Sequence, residues 1–320
     1  MGETGAPTKD DIIRSAERIA AFANRTPVMT SRTLDERLGA EVFFKCENFQ
    51  RVGAFKFRGA CNAVFSLSED EARKGVATHS SGNHAAALAL AARLRGINAH
   101  VAMPSNSSKV KVDAVKDYGA KITFCVPTLE ARESTLAEVV ARTGAHVVHP
   151  YDDVRIIAGQ ATAAKELLED VQDLDILIAP VGGGGLLSGT ALSAKHWSTG
   201  TRVFGAEPAG ADDAFRSFEA GKLIRQTDPR TIADGLRTSL SPRTFKIIRE
   251  NVAGIATVGE GKIIEAMRYH SERMKIVVEP SGAVPLGALL EGKLDVAGKR
   301  VGVIISGGNV ESKFFSECTS

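Results

Sequence analysis

From Gly75 onward the chain alternates between short apolar runs and stretches of helical length. Val76-Ala77-Thr78-His79 reads as a strand, Asn83 to Arg95 as an alanine- and leucine-rich helix, His100-Val101-Ala102-Met103 as a strand, and Ser107 to Tyr118 as a helix closed by Gly119. Lys121 to Cys125, Leu129 to Thr143 and His146 to His149 continue as strand, helix and strand. After Tyr151 the pattern resumes with helix Ala158 to Leu168, strand Asp175 to Ala179, helix Leu186 to His196 and strand Arg202 to Glu207. An irregular stretch from Asp212 to Pro242 precedes helices at Glu260 to Met274 and Ser281 to Leu290 and a last strand at Arg300 to Ile305. Strands separated by helices of this length are joined by crossovers, which makes the sheets parallel and doubly wound.

The segment before Gly75 adds a helix that carries Ile12, Ile13, Ala16, Ile19 and Ala20 at helical spacing, with Thr8 and Asp11 placed as cap and acid. Val42 to Cys46 reads as the first strand, and a helix starting near Lys56 buries Ala60, Ala63 and Val64. No low-complexity linker separates the halves. The expectation is two α/β domains, the smaller (75-150) inserted into the larger (1-74 and 151-320).

Composition narrows the function classes. The 320 residues are 43% hydrophobic and 24% charged, an ordinary soluble globular balance. The 40 basic and 38 acidic residues leave a net charge of +2 without a basic run, so nothing points to nucleic acid or anionic lipid. Cys46, Cys61, Cys125 and Cys318 lack the CxxC spacing of a zinc site or a disulfide framework, which fits a reducing cytoplasm. Met1 to Ala6 lacks the basic and apolar regions of a signal peptide. Ile176 to Ala194 is uncharged and long enough to span a bilayer, but Pro180, the glycine run, Ser188 and Thr190 make it a buried strand, turn and helix; no membrane association is expected.

Chemistry concentrates in four places. In Gly53-Ala54-Phe55-Lys56-Phe57-Arg58-Gly59 a lysine sits between two phenylalanines. Desolvation disfavours its ammonium and yields a usable amine nucleophile; alternatively it is a surface lysine beside core aromatics. Pro180-Val181-Gly182-Gly183-Gly184-Gly185 lies between an apolar strand and a helix. Glycines allow close approach of an anion to free N–H groups at a helix start, so Gly182 to Gly185 read as a phosphate cradle. They form neither a Walker loop nor the spaced dinucleotide fingerprint. Ser80-Ser81-Gly82-Asn83-His84 and Ser306-Gly307-Gly308-Asn309 also follow strands, and ligands of open parallel sheets bind at those carboxyl ends. A plain Ser/Asn cap remains the other reading of the first.

These four motifs, in this order, resemble the fold-type II (tryptophan synthase β-like) pyridoxal-phosphate enzymes, and within them the serine/threonine dehydratase and serine racemase family. The resemblance spans about Ile12 to Val310. It implies that Lys56 holds pyridoxal 5'-phosphate as a Schiff base and acts as the base at Cα. Phe55 and Asn83 contact the cofactor ring, Gly182, Gly183, Gly184 and Gly185 hold its phosphate, and Ser306 faces the pyridine nitrogen. Ser80, Ser81, Asn83 and His84 bind the substrate carboxylate, Ser81 also standing on the face opposite Lys56. The cofactor lies between the domains, and the expected assembly is a homodimer. Glu207 and Asp213, with the backbone carbonyl of Ala211, resemble the family's divalent-cation site; an all-oxygen set suits Mg²⁺, with Ca²⁺ or Mn²⁺ as alternatives.

Two departures matter. Ala54 stands where the family usually has serine, a variant similar to the 3-hydroxyaspartate dehydratases. A regulatory domain after Asn309 is not expected. A second carboxylate on the substrate requires a cation, and Arg132 matches a substrate-facing arginine of the family; otherwise it is a solvent-facing helix residue. The expected small-molecule substrate is 3-hydroxyaspartate, giving oxaloacetate and ammonia. The alternatives are an L-serine/L-threonine dehydratase, a serine racemase and, more remotely, a phosphosugar-binding protein without enzymatic activity.

Overall fold

The computed structural model describes residues 5–80, 82–107 and 109–319. Ten strands lie in order: β1 (Val28–Met29), β2 (Glu41–Cys46), β3 (Val76–His79), β4 (Ala99–Pro104), β5 (Lys121–Cys125), β6 (His146–Val147), β7 (Ile176–Pro180), β8 (Arg202–Pro208), β9 (Gly254–Val258) and β10 (Arg300–Ile305). They form a six-stranded sheet ordered β1-β2-β10-β7-β8-β9 and a four-stranded sheet ordered β5-β4-β3-β6. Every pairing is parallel except β1 with β2. The chain is thus an α/β protein of two domains, and all four strands of the smaller sheet fall between Val76 and Val147.

Both faces of the larger sheet are covered. Val42, Phe44, Ile178, Val301 and Val303 pack with Ile263, Met267 and Leu286 on one side. Leu177 and Ile304 pack with Leu167, Leu187 and Ile248 on the other. The smaller sheet buries Val76, Val101 and Met103 with Leu88. This burial of apolar area is the main force holding each layer in place.

The structure adds elements to the expected pattern. β1 is too short to show periodicity, and β9 mixes glycine, alanine and threonine with two apolar residues. Helix Asp213–Ala220 lies inside the stretch expected to be irregular. Helix Pro242–Asn251 follows it, closed at its start by a Ser241–Thr244 capping box with proline in the first turn. Helix Val154–Asp170 begins earlier than Ala158, because Asp153 caps it through Arg155 N–H. β6 stops at Val147 because the His149 ring turns to accept hydrogen bonds from Tyr151 N–H and Asp152 N–H, at 3.3 and 2.9 Å.

Helix Lys56–Phe65 is fastened firmly to its surroundings. Arg58 is fully buried and bonds Glu47 at 2.7 and 2.8 Å and Glu166 at 2.7 and 2.8 Å. Lys45, equally buried, bonds Glu166 and the Thr26 carbonyl, each at 2.7 Å. The helix also crosses Val154–Asp170 at glycines: a Cβ on Gly159 would meet Gly59 Cα at 2.6 Å. Ahead of the helix, Ala54 bridges Gly307, and Phe55 N–H donates to the Ser306 carbonyl at 3.0 Å. The lysine segment and the turn after β10 are therefore one unit.

Candidate active site

Lys56, the glycine loop, and the turns after β3 and β10 all lie at strand carboxyl ends, where parallel sheets collect ligands. Together they line a cavity of ≈ 180 Å³. Phe55, Lys56, Ser80, Asn83, His84, Arg132, Gly182, Gly183, Gly184, Gly185 and Ser306 all reach it. Ser81 lies outside the described residues. A larger cavity, ≈ 590 Å³, adjoins it and shares Gly82, Asn83, Lys111 and Asp234.

Lys56 Nζ donates to the Pro150 carbonyl at 3.0 Å and sits 5.1 Å from the Phe55 ring centre. Burial lowers its pKa to about 8, against the opposing charge of Glu279. Far more neutral amine therefore exists near neutral pH than for an ordinary lysine, although the protonated form still predominates, and the neutral form is what a nucleophile or base requires.

Asn83 starts the helix Asn83–Arg95, and its side chain is held on both sides. Its Nδ2 donates to Glu279 at 3.0 and 3.2 Å, and its Oδ1 accepts from Asn309 at 2.9 Å. Glu279 is 5% exposed, and burial pushes its carboxyl up to about 7. This acid is a site residue that motif reading missed. Its sequence signal is a lone carboxylate between Ile276-Val277-Val278 and Pro280.

His84 faces the same helix start. Its Nε2–H donates to the Val148 carbonyl at 3.2 Å, and burial, then the Lys56 charge, hold its pKa well below the usual imidazole value. The ring is neutral, so Nδ1 carries a lone pair and finds no partner among the described residues. The side chain thus offers the cavity no charged donor, and the helix that starts at Asn83 presents its first N–H groups beside it.

The glycine loop is walled so closely that side chains are excluded. A Cβ on Gly182 would meet Leu236 Cα at 2.9 Å, and one on Gly183 would meet the Tyr151 ring at 2.3 Å. Gly184 adopts φ +85°, which β-carbon-bearing residues avoid. Helix Gly185–Trp197 begins here, so its free N–H groups and positive dipole end face the cavity. Ser306 is buried and lines the cavity beyond β10. Arg132, in the first turn of Leu129–Thr143, is half-buried and lines the cavity, and its guanidinium makes one long hydrogen bond among the described residues, 3.4 Å, to the Thr128 carbonyl.

Glu207 is the penultimate residue of β8, Ala211 follows in a single helical turn, and Asp213 starts the next helix. All three are buried. Glu207 accepts from Ala214 N–H at 3.0 Å and Phe215 N–H at 2.8 Å. Both oxygens of Asp213 are buried without an ordinary hydrogen bond among the described residues, although the Ser239 hydroxyl is near. Burial raises both carboxyls, that of Asp213 to about 6, and the Asp213 charge raises Glu207 further.

Comparison with known proteins places the chain. The family described as "Pyridoxal-phosphate dependent enzyme" matches residues 19–307. The beta-hydroxyaspartate dehydratase of Paracoccus denitrificans (strain Pd 1222) is 51% identical over 305 residues, 95% of this chain and 97% of that one. The L-threo-3-hydroxyaspartate ammonia-lyase of Saccharomyces cerevisiae is 47% identical over 315 residues, 98% and 97% of the two chains. The crystal structure of serine racemase from Dictyostelium discoideum superposes with a TM-score of 0.91 at 48% identity, covering 96% of this chain and 99% of that one. A cavity-lining lysine amine with a lowered pKa, a glycine cradle at a helix start, and this breadth of likeness agree: the chain belongs to the pyridoxal-phosphate-dependent enzymes of fold type II.

Proposed function

We propose that this chain is a pyridoxal-phosphate-dependent ammonia-lyase that converts 3-hydroxyaspartate to oxaloacetate and ammonia. The observation that carries the reading is the meeting, in one cavity, of a lysine amine with its pKa lowered to about 8, an anion cradle and a guanidinium that has no carboxylate partner among the described residues. The names of the relatives from Paracoccus and Saccharomyces support it.

The residues fit the cofactor. Lys56 would hold its aldehyde carbon, the N–H groups of Gly182 to Gly185 its phosphate, and Ser306 its ring nitrogen. When bound, the cofactor supplies an acceptor for the electron pair left on Cα. Lys56 removes the α-proton, the β-hydroxyl leaves and takes up a proton as water, and the resulting iminosuccinate hydrolyses to oxaloacetate and ammonia. Ser80, Ser81, Asn83 and the helix-start N–H groups orient the α-carboxylate, and Arg132 receives the β-carboxylate. A second reading, serine racemase or serine/threonine dehydratase, draws support from the Dictyostelium relative.

The test compares kcat/KM for the 3-hydroxyaspartates, L-serine and L-threonine, with and without Arg132→Ala. Loss of a bidentate contact should weaken the dicarboxylic substrate by roughly 2–5 kcal/mol more than serine. Equal losses, or threonine as the best substrate, would favour the second reading.

The buried carboxyls of Glu207 and Asp213 fit a hard cation, because two backbone N–H groups are the only hydrogen-bond donors to Glu207 and both Asp213 oxygens lack an ordinary hydrogen bond among the described residues. We therefore include Mg²⁺, with Ca²⁺ or Mn²⁺ as alternatives, held with the Ala211 carbonyl. A chelator should lower the melting temperature and Mg²⁺ restore it; identical melting with and without chelator would remove the cation. The reading extends to a 75-150 unit inserted between 1-74 and 151-320, and to a cytoplasmic homodimer. The strand positions support the first, and the four free thiols support a reducing compartment. No helix of the described residues is long and apolar enough to cross a membrane.

A further inference from the structure

Tyr151 is half-buried and lines the cavity. The residue before it, Pro150, accepts the Lys56 amine at 3.0 Å. Its own side chain packs on the glycine loop: added β-carbons would meet its ring at 2.3 Å from Gly183 and its Cβ at 3.1 Å from Gly185. That packing explains an aromatic ring, and phenylalanine would pack as well. It does not explain the hydroxyl, which forms no hydrogen bond among the described residues; the nearby Tyr151 and Asp152 N–H groups are taken by the His149 ring. A phenol on a cavity wall loses its water when a ligand enters and then normally finds a partner on that ligand.

The charge of Arg132 acts on this phenol, while burial and the Asp152 charge raise its pKa, so it is a neutral donor at neutral pH. The other walls of the cavity already have assignments in the reading above. Lys56 fixes Cα, the glycine loop takes phosphate, and the helix start at Asn83 takes the α-carboxylate. The remaining lining includes His79, Lys111, Leu129 and Thr238 besides Arg132 and Tyr151; Lys111 is already paired with Asp234, which leaves Arg132 and Tyr151 for a carboxylate branching from Cβ.

We propose that the Tyr151 hydroxyl is the second ligand, beside Arg132, for the β-carboxylate of a dicarboxylic hydroxy amino acid, and so helps to set substrate choice. The proposal rests on the 3-hydroxyaspartate reading of this site. The guanidinium supplies charge, and the phenol supplies a rigid neutral donor that fixes which carboxylate oxygen points toward Cβ. A substrate with only a hydroxyl on Cβ would not engage it.

The experiment uses the holoenzyme and Tyr151→Phe, which keeps the ring on Gly183. The expected result is a fall of roughly 10- to 100-fold in kcat/KM for 3-hydroxyaspartate, carried mainly by KM, as loss of a hydrogen bond to a charged group produces. L-Serine should change by no more than about threefold. A second readout is equilibrium binding of succinate, an unreactive dicarboxylate, against propionate. Succinate should weaken with the variant and propionate should not, while cofactor absorbance stays unchanged. Equal losses for serine and 3-hydroxyaspartate, or unchanged succinate binding, would overturn the proposal. A wild-type enzyme that prefers serine yet loses succinate binding in Tyr151→Phe would instead overturn the substrate reading and leave the Tyr151 contact standing.

Discussion

Lys45 is fully buried and Lys56 half-buried on a cavity wall, and the protein treats them in opposite ways. Lys45 points into a closed quartet with Glu47, Arg58 and Glu166, where each cation meets a carboxylate at 2.7 Å. Lys56 points into the cavity, where its hydrogen-bond partner is a neutral carbonyl and the Glu279 carboxyl only partly offsets burial. The difference shows how one stretch of chain divides anchoring from chemistry. Arg58 neutralises its surroundings and fixes the helix; Lys56, on the same helix, is left under-compensated and therefore reactive. A buried pair by itself contributes little net stability, but losing one member leaves an uncompensated charge.

The sharpest break of the comparison is Lys56→Met. It should abolish the yellow absorbance of the bound cofactor and lower kcat by about 10⁴-fold or more, since both nucleophile and base are lost. A variant that kept colour and turnover would remove Lys56 from the chemistry. Next in size is Arg58→Met, which leaves Glu47 buried without a guanidinium and should cost about 3–5 kcal/mol in urea unfolding. A change under about 1 kcal/mol would mean that the quartet is not anchoring the helix.

The smallest effect distinguishes the two lysines directly, through the pH dependence of the cofactor-free protein. The Lys56 pKa is about 8 when folded against 10.5 ordinarily, so the unfolded chain binds more protons between those values. The Lys56 contribution therefore destabilises below pH 8, and stability rises as pH climbs from about 8 toward 10.5. Lys56→Met should flatten that rise and stabilise the cofactor-free protein near pH 7 by about 1–3 kcal/mol. An unaltered pH profile would mean that Lys56 is solvated in the absence of cofactor.

Local signals carried much of this architecture. The strand Val76–His79 and the helices Asn83–Arg95 and Leu129–Thr143 keep the boundaries read from the chain, because Gly96 and Gly144 sit in left-handed caps where only glycine is comfortable. The Lys56 segment and the glycine run declare themselves by composition. Glu279 does not: its meaning comes from Asn83, 3.0 Å away in space and far away in sequence. His84 announced a polar group, but only the Val148 carbonyl reveals which nitrogen holds the proton. Helix Pro242–Asn251 was legible in principle through Ser241 and Thr244, yet a charged, weakly apolar segment hides that cap.

The contact between Tyr151 and the loop after β7 also constrains how this enzyme can change. Position 183 has no room for even a methyl group while residue 151 is aromatic, because that methyl would lie inside the ring. The two sites are therefore locked in order: residue 151 must shrink before residue 183 can grow. Random single-site libraries at 183 would return almost nothing but glycine, whereas a paired library at 151 and 183 opens sequence space that neither position reaches alone. Any lineage that trades the phenol for a smaller group gives up its polar contact first and gains freedom in the phosphate loop only afterwards.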